Sequence, residues 1–222
     1  TKRMQNEDLS IFDYVFCWLG NTNLILSIIK LIEDKMNLEH DIQEAGVQMI
    51  LLVEDSIRFY SSILPNLYNY ILEQSKNFSQ EALNRHAATM RMRGRPKVVL
   101  ARTYEEAQKL YDKYSDNTLG VISDARFPLK SAAKAFGNEV MPEEKPKHRT
   151  DTFGREKCPD AGLQLFRYIR KNDPFVPLII ESSESENRAK AEAEGFRFVD
   201  KNSKKMSVDL RRLMEEHMGF GD

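Results

Sequence analysis

The chain has 222 residues, 41% apolar and 30% charged, with 33 Lys+Arg against 34 Asp+Glu for a net charge of -1. That suits one large soluble domain, or one domain and a piece of another, and excludes a strongly basic nucleic-acid binder or a polyacidic tail. Cys17 and Cys158 lie far apart with no CxxC pair, which excludes a zinc framework or a disulfide scaffold and predicts a reducing, cytoplasmic compartment.

Taken in chain order, residues 12–18 read as an apolar strand. Residues 24–36 read as a helix with Ile25, Ile28, Ile29 and Ile32 on its apolar face. The apolar stretch 11–32 is broken by Asp13, Asn21, Asn23 and Lys30, so it is not a membrane span, and nothing resembles a signal peptide. One strand and one helix cannot bury a core of their own. Residues 1–45 are therefore expected to pack on the rest of the chain, on a second copy in a homodimer, or on a domain outside this sequence.

From residue 48 the pattern alternates. Strands are predicted at 48–53, 97–101, 119–123, 176–180 and 196–199, apolar on both faces as a covered parallel sheet requires. Between them, Tyr60, Ile63, Leu64, Leu67, Tyr68, Ile71 and Leu72 recur at helical spacing. The crossover 56–96 is long enough for an additional helix near 80–92. Tyr104, Ala107, Leu110, Tyr111 and Tyr114 follow Thr103, an N-cap with Glu106 at the capping-box position.

The polar stretch 129–158 reads as an inserted loop with one short helix near 131–136. Leu163, Leu165, Phe166 and Ile169 mark the next helix, 183–194 another that stops at Gly195, and Val208, Leu210, Leu213 and Met214 the last. Strand and helix in strict alternation predict a doubly wound α/β domain with right-handed crossovers.

In such sheets a ligand site lies beyond the carboxyl ends of the strands. Glu54 and Asp55 follow the first strand, Asp124 the third, Ser182 the fourth and Lys201 the fifth. Three carboxylates make an oxygen shell for a hard cation such as Mg²⁺. A free oxygen of Asp124 is a nucleophile for phosphorus, with Lys201 and Ser182 to meet the phosphoryl oxygens. His40, His86, His148 and His217 match no metal or catalytic spacing, and the basic cluster within 85–95 reads as a solvated helix and turn rather than a nucleic-acid surface.

Five segments, LLVEDS (51–56), VISDARFP (121–128), DAGLQLFRYIR (160–170), VPLIIESSE (176–184) and GFRFVDKNS (195–203), occur in the order found in receiver domains of two-component response regulators. The chain resembles that family over about residues 47–218. The resemblance implies a flavodoxin-like five-stranded parallel sheet of order 2-1-3-4-5, with the receiver spanning 46–222. It also implies Asp124 as phosphoacceptor, and Glu54, Asp55, Asp124 and the backbone carbonyl of Arg126 as ligands of Mg²⁺. Ser182 and Phe198 match the switch residues, Lys201 the family's lysine, and Pro128 the proline after the phosphoacceptor.

Two positions depart from the family pattern: Asn202 stands where a proline usually follows the lysine, and Phe198 lacks the hydroxyl of the more usual tyrosine. The strand-then-helix order of residues 1–45, and a first residue other than Met, fit the tail of a preceding receiver-like unit.

The implied function is a signalling module in a phosphorelay, accepting phosphate from a histidine kinase or phosphotransfer protein. It is not an enzyme beyond its own phosphorylation and dephosphorylation, and its output domain lies outside these residues. The alternative is a non-phosphorylated pseudo-receiver that docks to or regulates a larger protein. Residues 56–68 are also similar to receiver-like regions attached to phosphoenolpyruvate-synthase-type enzymes. An aspartyl phosphatase of the haloacid-dehalogenase type would need an acid where Arg126 stands.

Overall fold

The computed structural model describes residues 12–130 and 150–219. Its elements are α1 (Asn23–Ala45), β1 (Met49–Val53), α2 (Ile57–Gln80), α3 (Arg85–Arg93), β2 (Lys97–Ala101), α4 (Tyr104–Tyr114), β3 (Thr118–Asp124), β4 (Phe127–Pro128), β5 (Lys157–Cys158), α5 (Ala161–Asn172), β6 (Leu178–Ser182), α6 (Glu186–Ala193), β7 (Arg197–Asp200) and α7 (Met206–Met218). Five strands form one parallel sheet in the order β2-β1-β3-β6-β7. Counted within that sheet the order is 2-1-3-4-5, a doubly wound flavodoxin-like topology. Among the described residues no helix is long and apolar enough to cross a membrane.

The pleat sorts the strand residues between two cores. Ile50, Leu52, Val98, Leu100, Ile122, Ile179 and Val199 face α2 and α7, where Leu64, Tyr68, Leu210 and Met214 complete the layer. Met49, Leu51, Val53, Val99, Val121, Leu178 and Ile180 face the opposite layer, with Ala107 and Tyr111 of α4, Phe166 and Ile169 of α5, and Ala191 of α6. Because both faces are covered, β1, β2 and β6 are buried at every residue. The long first crossover holds α2 and the additional helix α3. Thr103 caps α4 by accepting from Glu106 N, as the spacing predicts. The expected short helix near 131–136 lies outside the described residues.

Two N-terminal expectations need correction. Residues 12–18 do not form a strand: among the described residues the segment has no sheet partner, and α2 side chains meet two of its backbone groups. Tyr60 OH donates to Val15 O, and Cys17 N donates to Ser61 Oγ at 2.9 Å. The apolar face of α1 is also the other way round. Leu24, Leu31 and Leu38 are buried together with Asp34, while Ile25, Ile29 and Ile32 stay exposed.

The reason is a polar one. Asp34, fully buried, accepts from both guanidinium nitrogens of Arg95 (2.6 and 3.0 Å), from Tyr68 OH (2.9 Å) and from Val98 N of the edge strand (2.9 Å). A carboxylate on a helix face can be buried only when its lone pairs are met this fully. Here it rotates α1 onto the open edge of β2, which would otherwise present unpaired amides. The same contact corrects the reading of residues 85–95: Arg95 is not solvated but buried against Asp34.

Candidate phosphoacceptor site

The sheet order puts the ends of β1 and β3 side by side at its centre, with β6 and β7 beyond β3. Glu54 and Asp55 leave β1, and Asp124 closes β3. Oxygens of these three carboxylates all lie within 4.8 Å of one another. Glu54 and Asp55 are completely buried. Lys201, just after β7, ties the cluster together: its ammonium contacts Glu54 Oε2 and lies 3.0 Å from Asp124 Oδ1. Asp124 Oδ1 also accepts from Ala125 N at 2.8 Å.

Burial pushes the Glu54 carboxyl up, against the pull of Lys201, and the charges of Asp124 and Asp55 push it further. Asp55 is pushed up by burial and drawn back by Lys157. Burial alone would lower the Lys201 ammonium, but Glu54, Asp124 and Glu181 together raise it well above the usual lysine range. Lys201 therefore stays charged, a fixed cation shared among carboxylates.

The other sequence-picked residues fall in or around one cleft of about 510 Å³. Ser182, Arg126 and Lys201 line it with Asp124, whereas Phe198 is not among its lining residues. Ser182 Oγ accepts from Glu184 N (3.1 Å) and Asn187 Nδ2 (2.9 Å), which leaves its own proton to donate. The Arg126 guanidinium donates to Glu184 Oε2 at 3.0 Å. Phe198 is half-buried on the opposite-layer core, its ring 4.7 Å from the Arg188 guanidinium carbon. Asn202 donates from Nδ2 to Ser183 O at 2.9 Å, tethering the loop after β7 to the loop after β6.

Gly162 is set by contact. A Cβ there would come 2.3 Å from the carbonyl oxygen of Asp124, so only glycine lets α5 approach the loop after β3 this closely.

Sequence reasoning passed over several participants. Lys157, on β5, places its ammonium 2.6 Å from Asp55 Oδ2. The Phe59 ring lies 4.5 Å below the Lys201 ammonium. Glu181 belongs to β6, which the apolar pattern ends two residues too early. It is fully buried, and neither carboxylate oxygen has a hydrogen-bond partner. A charge in the register of an apolar run would have been the signal.

Burial pushes Glu181 from its ordinary value of 4.5 up to about 7, with Lys201 pulling down and Asp124 pushing up. A raised carboxyl stabilises the fold below the unfolded-state value and loses that contribution as pH rises through the folded one. Glu181→Gln should therefore gain about 3 kcal/mol relative to the parent protein between pH 4.5 and 7.5. Paired urea melts across that window test it, and a constant difference between the two proteins would contradict it.

A scan against models of known protein families finds no match, and a search of curated proteins finds none. Among solved structures, the chain is similar to a response regulator receiver domain protein from Clostridium thermocellum at 18% identity, covering 78% of this chain and 95% of that one with a TM-score of 0.43. A LuxR-family response regulator from Aurantimonas sp. is similar at 19% identity, covering 78% and 86%, with a TM-score of 0.42. The receiver domain of a histidine kinase from Arabidopsis thaliana, complexed with Mg²⁺ and BeF3⁻, is similar at 14% identity, covering 80% and 95%, with a TM-score of 0.35. The first and third of these are receiver domains. This chain's own sheet order is the five-stranded flavodoxin-like one set out above.

Proposed function

We propose that this protein is a phosphoacceptor receiver module: it accepts a phosphoryl group on Asp124, with Mg²⁺, and passes the signal through its surface. The observation that carries this reading is the meeting of Glu54, Asp55 and Asp124 within 4.8 Å, with Lys201 bridging two of them, beyond the carboxyl ends of a parallel sheet. The donor set fits a hard divalent ion, since it is all oxygen and buried Asp55 Oδ1 has no hydrogen-bond partner. Glu54, Asp55, Asp124 and the Arg126 carbonyl would hold it. Bound there, Mg²⁺ supplies positive charge against the phosphoryl oxygens and relieves the repulsion among the carboxylates.

The chain's own residues do the rest. Lys201 and the Ala125 amide hold Asp124 Oδ1, so Oδ2 is the attacking oxygen. It forms a bond to phosphorus while the P–N bond of a donor phosphohistidine breaks and the imidazole keeps the electron pair. Lys201 and the Ser182 hydroxyl then meet phosphoryl oxygens of the acyl phosphate. Ser182 and Phe198 serve as the switch, their positions responding to the new charge on Asp124. The donor is a histidine kinase or phosphotransfer protein in the cytoplasm.

A second reading is favoured by one observation. Lys157 already neutralises Asp55, as would suit a pseudo-receiver that docks without metal or phosphate. Thermal melts separate the two. Excess Mg²⁺ should raise the melting temperature of the parent protein by about 5 °C and that of Asp55→Ala by much less. Equal shifts, or none, would favour the docking module.

A further inference from the structure

We propose that Lys157 is a tethered counter-cation of the acidic site, displaced from Asp55 when a divalent ion is taken up, so that filling the site loosens residues 150–158. This rests on the reading of Glu54, Asp55 and Asp124 as divalent-ion ligands and adds to it a regulator carried outside the five-stranded sheet.

The position of Lys157 is built from two sides. It lies on β5, which pairs antiparallel with β4, and β4 begins three residues after Asp124. Phe127 of β4 is fully buried, so the ribbon is anchored in the core. On the other side the chain is stapled by Asp151. Its Oδ1 accepts from Phe153 N (2.9 Å) and Arg155 N (2.8 Å), and its Oδ2 accepts from Arg155 Nε (2.6 Å). Asp151 and Arg155 are both buried. Between these anchors the Lys157 ammonium reaches Asp55 Oδ2 at 2.6 Å, its side chain only 16% exposed.

An ammonium there does part of a metal's electrostatic work, reducing the charge of a buried carboxylate. It cannot do all of it, because Asp55 Oδ1 is left without a hydrogen-bond partner. A divalent ion on the same carboxylate would face the ammonium at close range in a poorly solvated site, where like charges repel strongly. One of the two must leave, and the ammonium is the one on a flexible stem. Without its contact to Asp55, the turn 150–156 loses a link to the sheet, so occupancy of the site is felt in the insertion.

The test is a Mg²⁺ binding isotherm on the full chain for the parent protein, Lys157→Met and Lys157→Arg, with amide hydrogen exchange of residues 150–158 followed in the parent protein. Lys157→Met should bind Mg²⁺ at least about tenfold more tightly, and Lys157→Arg close to the parent value. Exchange of 150–158 should quicken along the parent protein's own isotherm. Binding of equal or lower affinity in Lys157→Met, or exchange that Mg²⁺ does not alter, would overturn the proposal while leaving the metal site intact. Should Lys157→Met not fold, the parent protein's exchange decides alone. An absence of Mg²⁺ binding in parent and variants alike would overturn the metal site and this inference together.

Discussion

Asp34→Ala should lower the stability of the fold by about 3–5 kcal/mol, the usual loss when one member of a buried ion pair is removed. Asp34 sits far from the acidic cleft, yet it is the carboxylate on which the N-terminal helix is hung. Its two oxygens take both guanidinium nitrogens of Arg95, the Tyr68 hydroxyl and the amide of Val98. Without them Arg95, only 5% exposed, becomes a buried charge, and an edge-strand amide and a buried hydroxyl lose their acceptor. Lys97 is spared, because its ammonium also lies 2.7 Å from Asp41. Asp34→Asn keeps one carbonyl acceptor and should fall between the two. Urea melts of the three proteins measure this. A loss under about 1 kcal/mol for Asp34→Ala would mean that α1 is held by Leu24, Leu31 and Leu38 alone.

The contrast between Asp34 and Asp124 explains what the sequence could and could not disclose. Short runs such as KVVLA (97–101) and MILLV (49–53) are apolar on both faces, a pattern that leaves little choice but a covered parallel strand. Once the strands are placed, Glu54, Asp55, Asp124, Ser182 and Lys201 come together because each sits at a strand's carboxyl end. Topology does the work: alternation makes the doubly wound parallel sheet legible, whereas the strand order 2-1-3-4-5 is what the resemblance to receiver domains implies. Partnerships across long separations leave no such periodic trace.

Asp34 and Arg95 are 61 residues apart, and nothing in IEDKMN (32–37) says that its acid turns inward. The apolar stripe of Ile25, Ile28, Ile29 and Ile32 is the stronger local signal, yet of the four only Ile28 is half-buried and the others are exposed. Residues 12–18 have strand-like composition, but strand formation needs a neighbouring edge. The edge of β2 faces α1, whose Asp34 takes the Val98 amide. Lys157 lies in the polar stretch 129–158, which has no periodicity, so its approach to Asp55 is visible only in three dimensions.

Asp124→Asn should abolish phosphoryl uptake altogether. The amide oxygen is a poor nucleophile toward phosphorus, so no slower version of the same reaction remains. The variant should nevertheless fold. The introduced carboxamide would keep an acceptor for Ala125 N, and losing one of three crowded carboxylates relieves repulsion that Lys201 only partly offsets. Loss of uptake with an unchanged or raised melting temperature therefore separates a chemical role for Asp124 from a structural one. Lys201→Ala would separate them poorly, because it strips the shared cation from two buried acids and from Asp124 together.

The most direct measurement is intact mass after incubation with acetyl phosphate and Mg²⁺. The account predicts one added phosphoryl group on the parent protein, absent when the metal is chelated beforehand, and none on Asp124→Asn. No adduct on the parent protein, or an equal adduct on Asp124→Asn, would contradict it.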